Sequence, residues 1–417
     1  MNNLKTELVV IGGGAAGLFA SAHAASLGIK CVLLEPNKRL GHKLRITGKG
    51  RCNLTNNCDV KTFLENVPVN PRFLYGAVSR FDSAAAMEYF EQLGVALKTE
   101  RGARVFPQSD RAHDIADALI RFGKKNGVRI VAEAARNLIC EDGKITAVST
   151  DSTVISCDAA ILCTGGISYP LTGSTGDGYA MAKKLGHTIV TPKPSLIPLV
   201  SPDDFCAEMQ GLSLKNVVLS VFDDSGKRIF EELGEMLFTH FGCSGPLILS
   251  ASAHMRELGT CAYRLSIDLK PGLDEKKLDA RILRDFEKYS NRDFQNALRE
   301  LAARAMIPVL IRLSGIAPET KVNSVTKQER QRLVGLFKDF PVSVSGARPI
   351  EEAIITSGGV SVKEVNPKTM ESKLVSGLFF AGEILDIDAY TGGFNLQIAW
   401  ATAYCAANFI CAEERNQ

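Results

Sequence analysis

Apolar residues form strand and helix patterns along the first part of the chain. Glu7–Ile11 and Cys31–Glu35 are short β-rich runs, and the alanine-rich stretch Ala15–Leu27 between them is typical of a helix. A strand, a helix and a second strand in this order predict a parallel βαβ unit. Farther along, Arg111–Lys125 has the pattern of an amphipathic helix, and Ala159–Leu162 that of a buried strand. The pattern therefore predicts an α/β fold.

A different arrangement of elements begins in the middle of the chain. Two prolines within Thr191–Pro194 mark a boundary, and β-type runs such as Leu214–Phe222 follow it. A helical block then extends over about residues 274–338. Within that block, Thr326 and Glu329 have the spacing of a capping box, which predicts the start of a further helix.

The C-terminal residues return to the character of the N-terminal segment. Gly377–Ala381 has a buried-strand pattern, and Gly393–Ala412 is a long apolar helix. The simplest architecture is one discontinuous domain, residues 1–191 and 351–417, with a second domain inserted over residues 192–350. With 417 residues the chain is too long for one ordinary domain, which agrees with this division.

Composition narrows the class of protein. The chain is 45% hydrophobic with a net charge of +3, which is typical of a globular enzyme and gives no reason to expect nucleic acid or an anionic membrane as a partner. We find no apolar run long enough to span a bilayer and no signal peptide, which favours a cytoplasmic location. The eleven cysteines include no CxxC pair, so we expect free thiols and no metal site.

A glycine-rich turn stands between the first strand and the first helix. The residues that we expect at a cofactor there are Gly12, Gly14, Ala15, Ala16 and Gly17. In the G-x-G-x-x-G spacing the glycines permit a tight turn, a close approach to a pyrophosphate at the helix N-terminus, and packing of helix on strand. Glu35 ends the second strand, where a carboxylate can bind both hydroxyls of an adenosine ribose. This motif predicts FAD or NAD rather than NADP.

Three later segments distinguish FAD from NAD. An apolar strand leads into a Gly–acid pair, which brings a carboxylate back to the ribityl and pyrophosphate region of FAD. The last helix can direct N–H groups and a positive dipole toward an electron-rich flavin edge. Another strand ends in a glycine turn, where open α/β sheets bind ligands. The cofactor-binding candidates in these segments are Thr164, Gly165, Gly382, Glu383, Gly393, Phe394 and Asn395.

Two long motifs carry a family resemblance. Gly41–Asn56, GHKLRITGKGRCNLTN, and Gly234–Pro246, GEMLFTHFGCSGP, resemble signatures of the BaiN-like bacterial flavoproteins. These are FAD-dependent oxidoreductases that include bile-acid enone reductases and aminoacetone oxidases. The resemblance runs nearly end to end and implies a glutathione-reductase-type FAD-binding domain. It also implies an inserted domain with a β-barrel-like part (about 192–272) and a helical part (about 273–340).

The resemblance further implies that the FAD is lined by Thr47, Gly48, Arg51 and Asn53. Arg51 would reach phosphate or polar flavin atoms, with a surface salt bridge as the alternative. Lys49 departs from the small or amide residue expected in many relatives. We expect Cys52 to be a buried structural cysteine, because no second cysteine stands at CxxC spacing. The catalytic acid stays open among His240, Tyr390 and Arg51, and His240 is equally well explained as a barrel residue.

Together these features predict an FAD-dependent oxidoreductase with a small-molecule substrate. NAD(P)H would reduce the flavin as a transient reductant, since no second G-x-G-x-x-G motif provides a separate nucleotide domain. By resemblance, the hydride would pass to the C=C bond of a conjugated 3-oxo steroid or bile acid held between the two domains. The alternatives are a flavin amine oxidase acting on an aminoacetone-like substrate and a non-catalytic FAD-loaded interaction protein. The sequence leaves the oligomeric state open.

Overall fold

The computed structural model describes residues 2–255, 257–258 and 260–414. Its strands are β1 (Asn2–Lys5), β2 (Leu8–Ile11), β3 (Cys31–Leu34), β4 (Thr55–Asn56), β5 (Leu97–Glu100), β6 (Arg104–Pro107), β7 (Arg129–Val131), β8 (Asn137–Glu141), β9 (Lys144–Ser149), β10 (Thr153–Ser156), β11 (Ala159–Leu162), β12 (Ile189–Ser195), β13 (Leu199–Val200), β14 (Ser213–Phe222), β15 (Arg228–Thr239), β16 (Gly242–Ser244), β17 (Tyr263–Asp268), β18 (Phe340–Val344), β19 (Gly346–Ala347), β20 (Ile355–Val360) and β21 (Leu378–Phe380).

Its α-helices are α1 (Ala15–Ser26), α2 (His42–Ile46), α3 (Val60–Glu65), α4 (Pro71–Arg80), α5 (Ser83–Gln92), α6 (Ala112–Lys125), α7 (Asp177–Lys184), α8 (Phe205–Glu208), α9 (Pro246–Ser252), α10 (Glu275–Lys288), α11 (Phe294–Ala297), α12 (Ile307–Ser314), α13 (Lys327–Lys338) and α14 (Phe394–Glu414). These elements form two compact units, Met1–Ser195 with Ile350–Gln417, and Leu196–Pro349.

A five-stranded parallel sheet forms the centre of the first unit. Its strand order is β21-β11-β2-β3-β7, and every neighbouring pair is parallel. The strands β2, β3 and β11 are buried throughout, as expected of a parallel sheet covered on both faces. In this sheet β3 lies on one side of β2, and β11 followed by β21 lies on the other side. The carboxyl ends of β2 and β11 are therefore the topological switch point, where open α/β sheets bind ligands.

Helices α1 and α14 pack beside this sheet in the first unit. Nearly all of α1 is buried, which its alanine-rich sequence allows because small side chains permit close approach. Phe19 on α1 lies with its ring centroid 5.8 Å from that of Trp400 on α14. Trp400 is fully buried and donates its indole N–H to the backbone oxygen of Leu54 at 3.0 Å. The last helix is thereby fixed to the chain that leads into β4.

The seven-stranded antiparallel sheet of the second unit closes on itself. Its order is β18-β17-β14-β15-β16-β13-β19, so β18 and β19 lie at opposite ends of the hydrogen-bonded series. Ser345 alone separates these two strands in sequence, which brings the two ends of the sheet together. The backbone N–H of Ser345 donates to the oxygen of Val200 at 2.9 Å. The result is a small barrel-like sheet.

The helices α10 to α13 complete the second unit. They pack into the same hydrophobic core as the barrel-like sheet through buried residues such as Ile282, Phe294 and Phe337. The capping box predicted from the sequence is confirmed: Thr326 accepts from the backbone N–H of Glu329, whose carboxylate accepts in return.

No helix in the part of the chain that the structure describes is long and apolar enough to cross a membrane.

Candidate functional site

The switch point brings the two predicted glycine turns together. Cys163 follows β11, and its backbone N–H donates to the oxygen of Ile11 at 2.8 Å. Gly12 has φ +103°, and a Cβ there would lie 2.6 Å from the Cys163 oxygen. A positive φ and this close backbone approach both require glycine. The turn that follows β2 is thus held against the residues that precede Thr164 and Gly165.

The N-terminus of α1 opens into free space. Gly14 is its N-cap, and an added Cβ would have no heavy atom within 4 Å among the described residues. Gly17 is the opposite case, because a Cβ there would come within 1.8 Å of the Gly12 oxygen. Gly17 therefore serves close packing, whereas Gly14 leaves room for an anion at the N–H groups of Ala15 and Ala16, which have no partner within the helix.

The Glu35 carboxylate is oriented by backbone N–H groups. One oxygen accepts from Gly13 at 2.7 Å, and the other accepts from the backbone N–H of Asn37 at 2.8 Å and from the Asn37 side chain. A carboxylate has about four acceptor positions, so it retains capacity for a diol. Sequence reasoning missed Asn37, whose side chain fixes the carboxylate from two residues away.

The segment that contains Thr47, Gly48 and Asn53 has an unusual backbone. Gly48, Lys49, Gly50 and Cys52 all have positive φ, which is uncommon for the two non-glycine residues Lys49 and Cys52. Such backbone conformations cluster at ligand-binding sites. The Thr47 hydroxyl donates to the Leu44 oxygen at 2.7 Å. The Asn53 side-chain oxygen is buried and has no hydrogen-bond partner within the described residues.

Cys52 is fully buried in the same loop. Burial raises the pKa of its thiol to about 12, so the thiolate that redox chemistry needs is disfavoured at neutral pH. This environment is that of a structural cysteine.

Arg51 contacts carboxylates. Its Nη2 atom lies 2.5 Å from Oε1 of Glu100 and 2.5 Å from Oδ1 of Asp110. The guanidinium carbon lies 4.2 Å from the centroid of the Phe106 ring. These hydrogen bonds raise the pKa of Arg51. The guanidinium is thus paired with two carboxylates, as in the salt-bridge alternative, which leaves it fewer free N–H donors for a phosphate or a flavin atom.

Glu383 lies in a network that joins three distant segments. Lys43 on α2 lies 2.8 Å from its carboxylate, the Ser168 hydroxyl donates to it at 3.1 Å, and the backbone N–H of Thr356 donates at 2.9 Å. Neighbouring Gly382 has φ +79°, and a Cβ there would meet Ala16 of α1 at 2.9 Å. The network fixes the end of β21 beside the start of α1. The sequence motifs contained Lys43 but did not indicate its partner.

Replacing Lys43 with methionine is expected to lower the free energy of unfolding by about 1–3 kcal/mol, because it leaves the mostly buried Glu383 carboxylate without its counter-ion. Lys43 and Glu383 have side chains only 20% and 22% exposed. The matched control is Lys30→Met, whose partner Glu7 is 3.7 Å away and whose own side chain is 81% exposed. Denaturant unfolding of both variants measures the difference. Equal losses would contradict a stabilising role for the buried pair.

The start of α14 packs closely against β4. Gly393 has φ +103°, and a Cβ there would lie 2.4 Å from the backbone carbon of Thr55. The fully buried Gln397 accepts from the Thr55 hydroxyl at 2.8 Å and donates to the Phe81 oxygen at 2.7 Å. The Asn395 side chain binds the backbone of Ala389 through its oxygen and its amide. Asn395 thus holds the preceding loop, and Gln397, which the sequence analysis did not single out, fixes the helix.

The candidate acids differ in their surroundings. Tyr390 lies in the loop directly before α14, and its backbone N–H donates to the Asn66 oxygen at 3.0 Å. His240 belongs to the second unit, in the turn between β15 and β16, where its imidazole is exposed and lies 5.0 Å from the Phe241 ring. Within the described residues, no group of three or more His, Cys, Asp or Glu side chains is arranged to hold a metal ion.

The residues at the switch point fit FAD. The open N-cap at Gly14 suits a pyrophosphate, and the oriented Glu35 suits a ribose diol. The hydroxyl of Thr164 and the side-chain oxygen of Asn53 are both buried without a partner in the described part of the chain, and a bound ligand would satisfy them. Phe394 begins α14, a 21-residue helix whose N-terminal N–H groups can stabilise negative charge.

Comparisons with known proteins bear on the family and the fold of the chain. A family model described as the HI0933-like protein Rossmann domain matches residues 6–409. The ribosomal RNA dihydrouridine synthase of Haemophilus influenzae is 30% identical over 96% of this chain and 98% of its own length. The 3-dehydro-bile acid delta(4,6)-reductase of Clostridium scindens is 28% identical over 95% and 97%. A solved flavocytochrome c3 fumarate reductase shares the fold, with a TM-score of 0.53 and 16% identity over 98% of this chain and 78% of that one.

Proposed function

We propose that this chain, which belongs to the HI0933-like family of FAD-dependent oxidoreductases, reduces a carbon–carbon double bond that is conjugated to a carbonyl group. The names of two full-length relatives support the bond type. Dihydrouridine differs from uridine by two hydrogens across a C=C bond conjugated to a ring carbonyl, and delta(4,6) bonds in a 3-dehydro-bile acid are conjugated to the 3-oxo group. The two substrates have little else in common, so we base the proposed reaction on this shared type of double bond.

The substrate that we propose is a uridine within RNA. The H. influenzae relative with the RNA name is 30% identical over nearly its whole length. A 3-oxo steroid or bile acid is the second candidate, which the similarity to the Clostridium reductase favours. Uridine in RNA departs from the small-molecule substrate that the sequence led us to expect.

Each part of the proposed site has a role in this reaction. When bound, FAD supplies hydride to the β-carbon of the double bond, and an NAD(P)H-type donor supplies the electrons. The N-terminus of α1 at Gly14 would hold the pyrophosphate, and Glu35 the adenosine ribose. The N-terminus of α14 would stabilise negative charge beside the ring system. The α-carbon needs a proton, for which we propose Tyr390, with His240 as the alternative donor.

The test separates reduction from oxidation and one substrate from another. The purified holoprotein is mixed anaerobically with NADH or NADPH while the flavin absorbance is followed. The reduced protein then receives ribosomal RNA or a 3-oxo-4-ene steroid, and the RNA is digested and analysed by mass spectrometry. We expect bleaching by a nicotinamide donor, reoxidation by RNA, and a uridine product heavier by two hydrogen atoms. Tyr390→Phe and His240→Asn then identify the proton donor, as the variant that slows reoxidation without slowing bleaching.

Three results would contradict the proposal. Reoxidation by the steroid with unchanged RNA would assign the second substrate. Bleaching by an amine such as aminoacetone, followed by reoxidation with oxygen alone, would assign an oxidase. A flavin that no donor bleaches and no acceptor reoxidises would leave a protein that carries FAD without catalysis.

A further inference from the structure

Positive charge is concentrated in the helical part of the second unit. Residues 274–338 contain fourteen lysines and arginines against nine aspartates and glutamates, whereas residues 196–273 contain six against ten. The two parts therefore carry opposite net charge, although the net charge of the whole chain is only +3. A local positive field of this kind attracts polyanions irrespective of the overall balance.

Helix α10 presents four basic residues along one face. Lys277, Arg281, Arg284 and Lys288 follow a 4-3-4 spacing, which places them above one another on an α-helix. All four side chains are exposed, while Leu278, Ile282 and Phe286 of the same helix are buried on the opposite side. At 1.5 Å per residue, the row extends over roughly 16 Å of the helix.

Few carboxylates neutralise this row. Lys277 pairs with Asp274, and both side chains are largely exposed. Arg281 pairs with Asp285 one turn later on the same helix, where the carboxylate is only 18% exposed; local helix pairs of this kind are worth about 0.2–0.5 kcal/mol. Arg284 and Lys288 have no ion-pair partner among the described residues. The pKa of the half-buried Lys270 is lowered, first by burial and second by the positive charge of Arg281. The row thus remains available to an external anion.

An aromatic ring extends the row beyond the end of the helix. The Arg292 guanidinium lies 3.9 Å from the Tyr289 ring centroid, and the Lys288 ammonium lies 5.0 Å from it. One ring therefore orders two cations before any ligand arrives, which reduces the entropy that binding costs. A shallow depression of about 470 Å³ adjoins the row and is lined by residues that include Ala280 and Leu283.

We propose that this basic surface, defined by Lys277, Arg281, Arg284, Lys288 and Arg292, binds the phosphate backbone of the RNA substrate. The inference rests on the proposed function, since it supplies a docking site for the RNA whose uridine is reduced. A row of guanidinium and ammonium groups matches consecutive phosphates, and an aromatic–arginine pair is a common platform in nucleic-acid sites. A membrane surface fits less well, because the large apolar side chain exposed along this row is Leu283 alone among the described residues.

The test uses the holoprotein and a uridine-containing hairpin RNA transcript, with binding followed by fluorescence anisotropy over a series of salt concentrations. The variant changes four residues: Lys277→Gln, Arg281→Gln, Arg284→Gln and Lys288→Gln. The control removes the same charge from exposed positions of the first unit: Arg121→Gln, Lys124→Gln, Lys125→Gln and Arg129→Gln. We expect the first variant to bind RNA at least about tenfold more weakly and its salt slope to fall by about 3, while the control changes little. Flavin content and thermal unfolding verify that both variants are folded.

Equal losses in the two variants would overturn the docking site, because they would reflect net charge alone. Binding of the wild-type protein to phosphatidylserine vesicles but not to RNA would overturn it in favour of a membrane. The binding assay needs no turnover, so it is independent of the proposed reaction. RNA that binds through this surface but gains no dihydrouridine supports the docking site and contradicts the proposed substrate.

Discussion

Replacing Gly14 with valine is expected to weaken FAD binding strongly while leaving the fold in place. Gly14 has φ −77° and ψ −162°, a conformation open to any residue, and no described heavy atom would lie within 4 Å of its Cβ. A valine side chain should therefore fit the apoprotein without strain. It would exclude the pyrophosphate, because a branched side chain would occupy the space in front of the α1 N–H groups.

The expected loss of FAD affinity is about 100-fold or more, which corresponds to ~2.7 kcal/mol. It is measured as FAD released from the purified protein on denaturation and by titration of the apoprotein with FAD. Circular dichroism should show an unchanged fold, since an unfavourable N-cap costs about 1 kcal/mol or less. The control is Gly272→Val in the second unit, where the added side chain also meets no neighbour. Normal FAD content in Gly14→Val would remove this turn from the cofactor site.

A second glycine in the motif should behave in the opposite way. At Gly17 an alanine Cβ would lie 1.8 Å from the Gly12 oxygen, so the apoprotein itself must deform.

The local structure of the glycine motif could be predicted from the sequence. Its spacing predicted strand, turn and helix correctly, because such elements depend on residues close in the chain. The family resemblance and the FAD-binding α/β fold that it implied are confirmed.

The partners of the charged side chains could not be predicted. Lys43 and Glu383 are 340 positions apart, and their pairing depends on β21 joining the central sheet beside β11. Arg51 occupies a motif loop that suggested a cofactor ligand, yet Glu100 and Asp110 lie within reach of its guanidinium. Spacing along the chain carries no information on which distant carboxylate a flexible side chain meets.

The net charge of the whole chain did not indicate a nucleic-acid partner. It is near neutral because the negative charge of the barrel-like part offsets the positive charge of the helical part. The 4-3-4 spacing on α10 was visible in the sequence. Its significance depends on the exposure of the four side chains and on which of them make ion pairs, and only the fold reveals both.

Replacing Gly393 with alanine is expected to be the most damaging small change near the proposed flavin end of the site. Its φ of +103° costs an alanine about 1–3 kcal/mol, and the new Cβ would lie 2.4 Å from the Thr55 backbone. Because backbone cannot give way as a side chain can, α14 must shift away from β4. That shift would weaken the hydrogen bond between Thr55 and the buried Gln397. We expect a loss of about 3–5 kcal/mol in the free energy of unfolding.

The neighbouring Gly392 provides the matched control. It also has a positive φ, +129°, but an added Cβ there would first meet the ring of Phe394 at 2.9 Å, and a side chain can move. Gly392→Ala should therefore lose only the conformational part, about 1–3 kcal/mol. Denaturant unfolding separates the two costs, and the rise of flavin fluorescence during heating reports whether FAD leaves before the fold is lost. If both variants lose the same stability, strain alone explains the glycines and the close approach of α14 to Thr55 contributes nothing. If Gly393→Ala alone also releases FAD early, the start of α14 belongs to the cofactor site as well as to the fold.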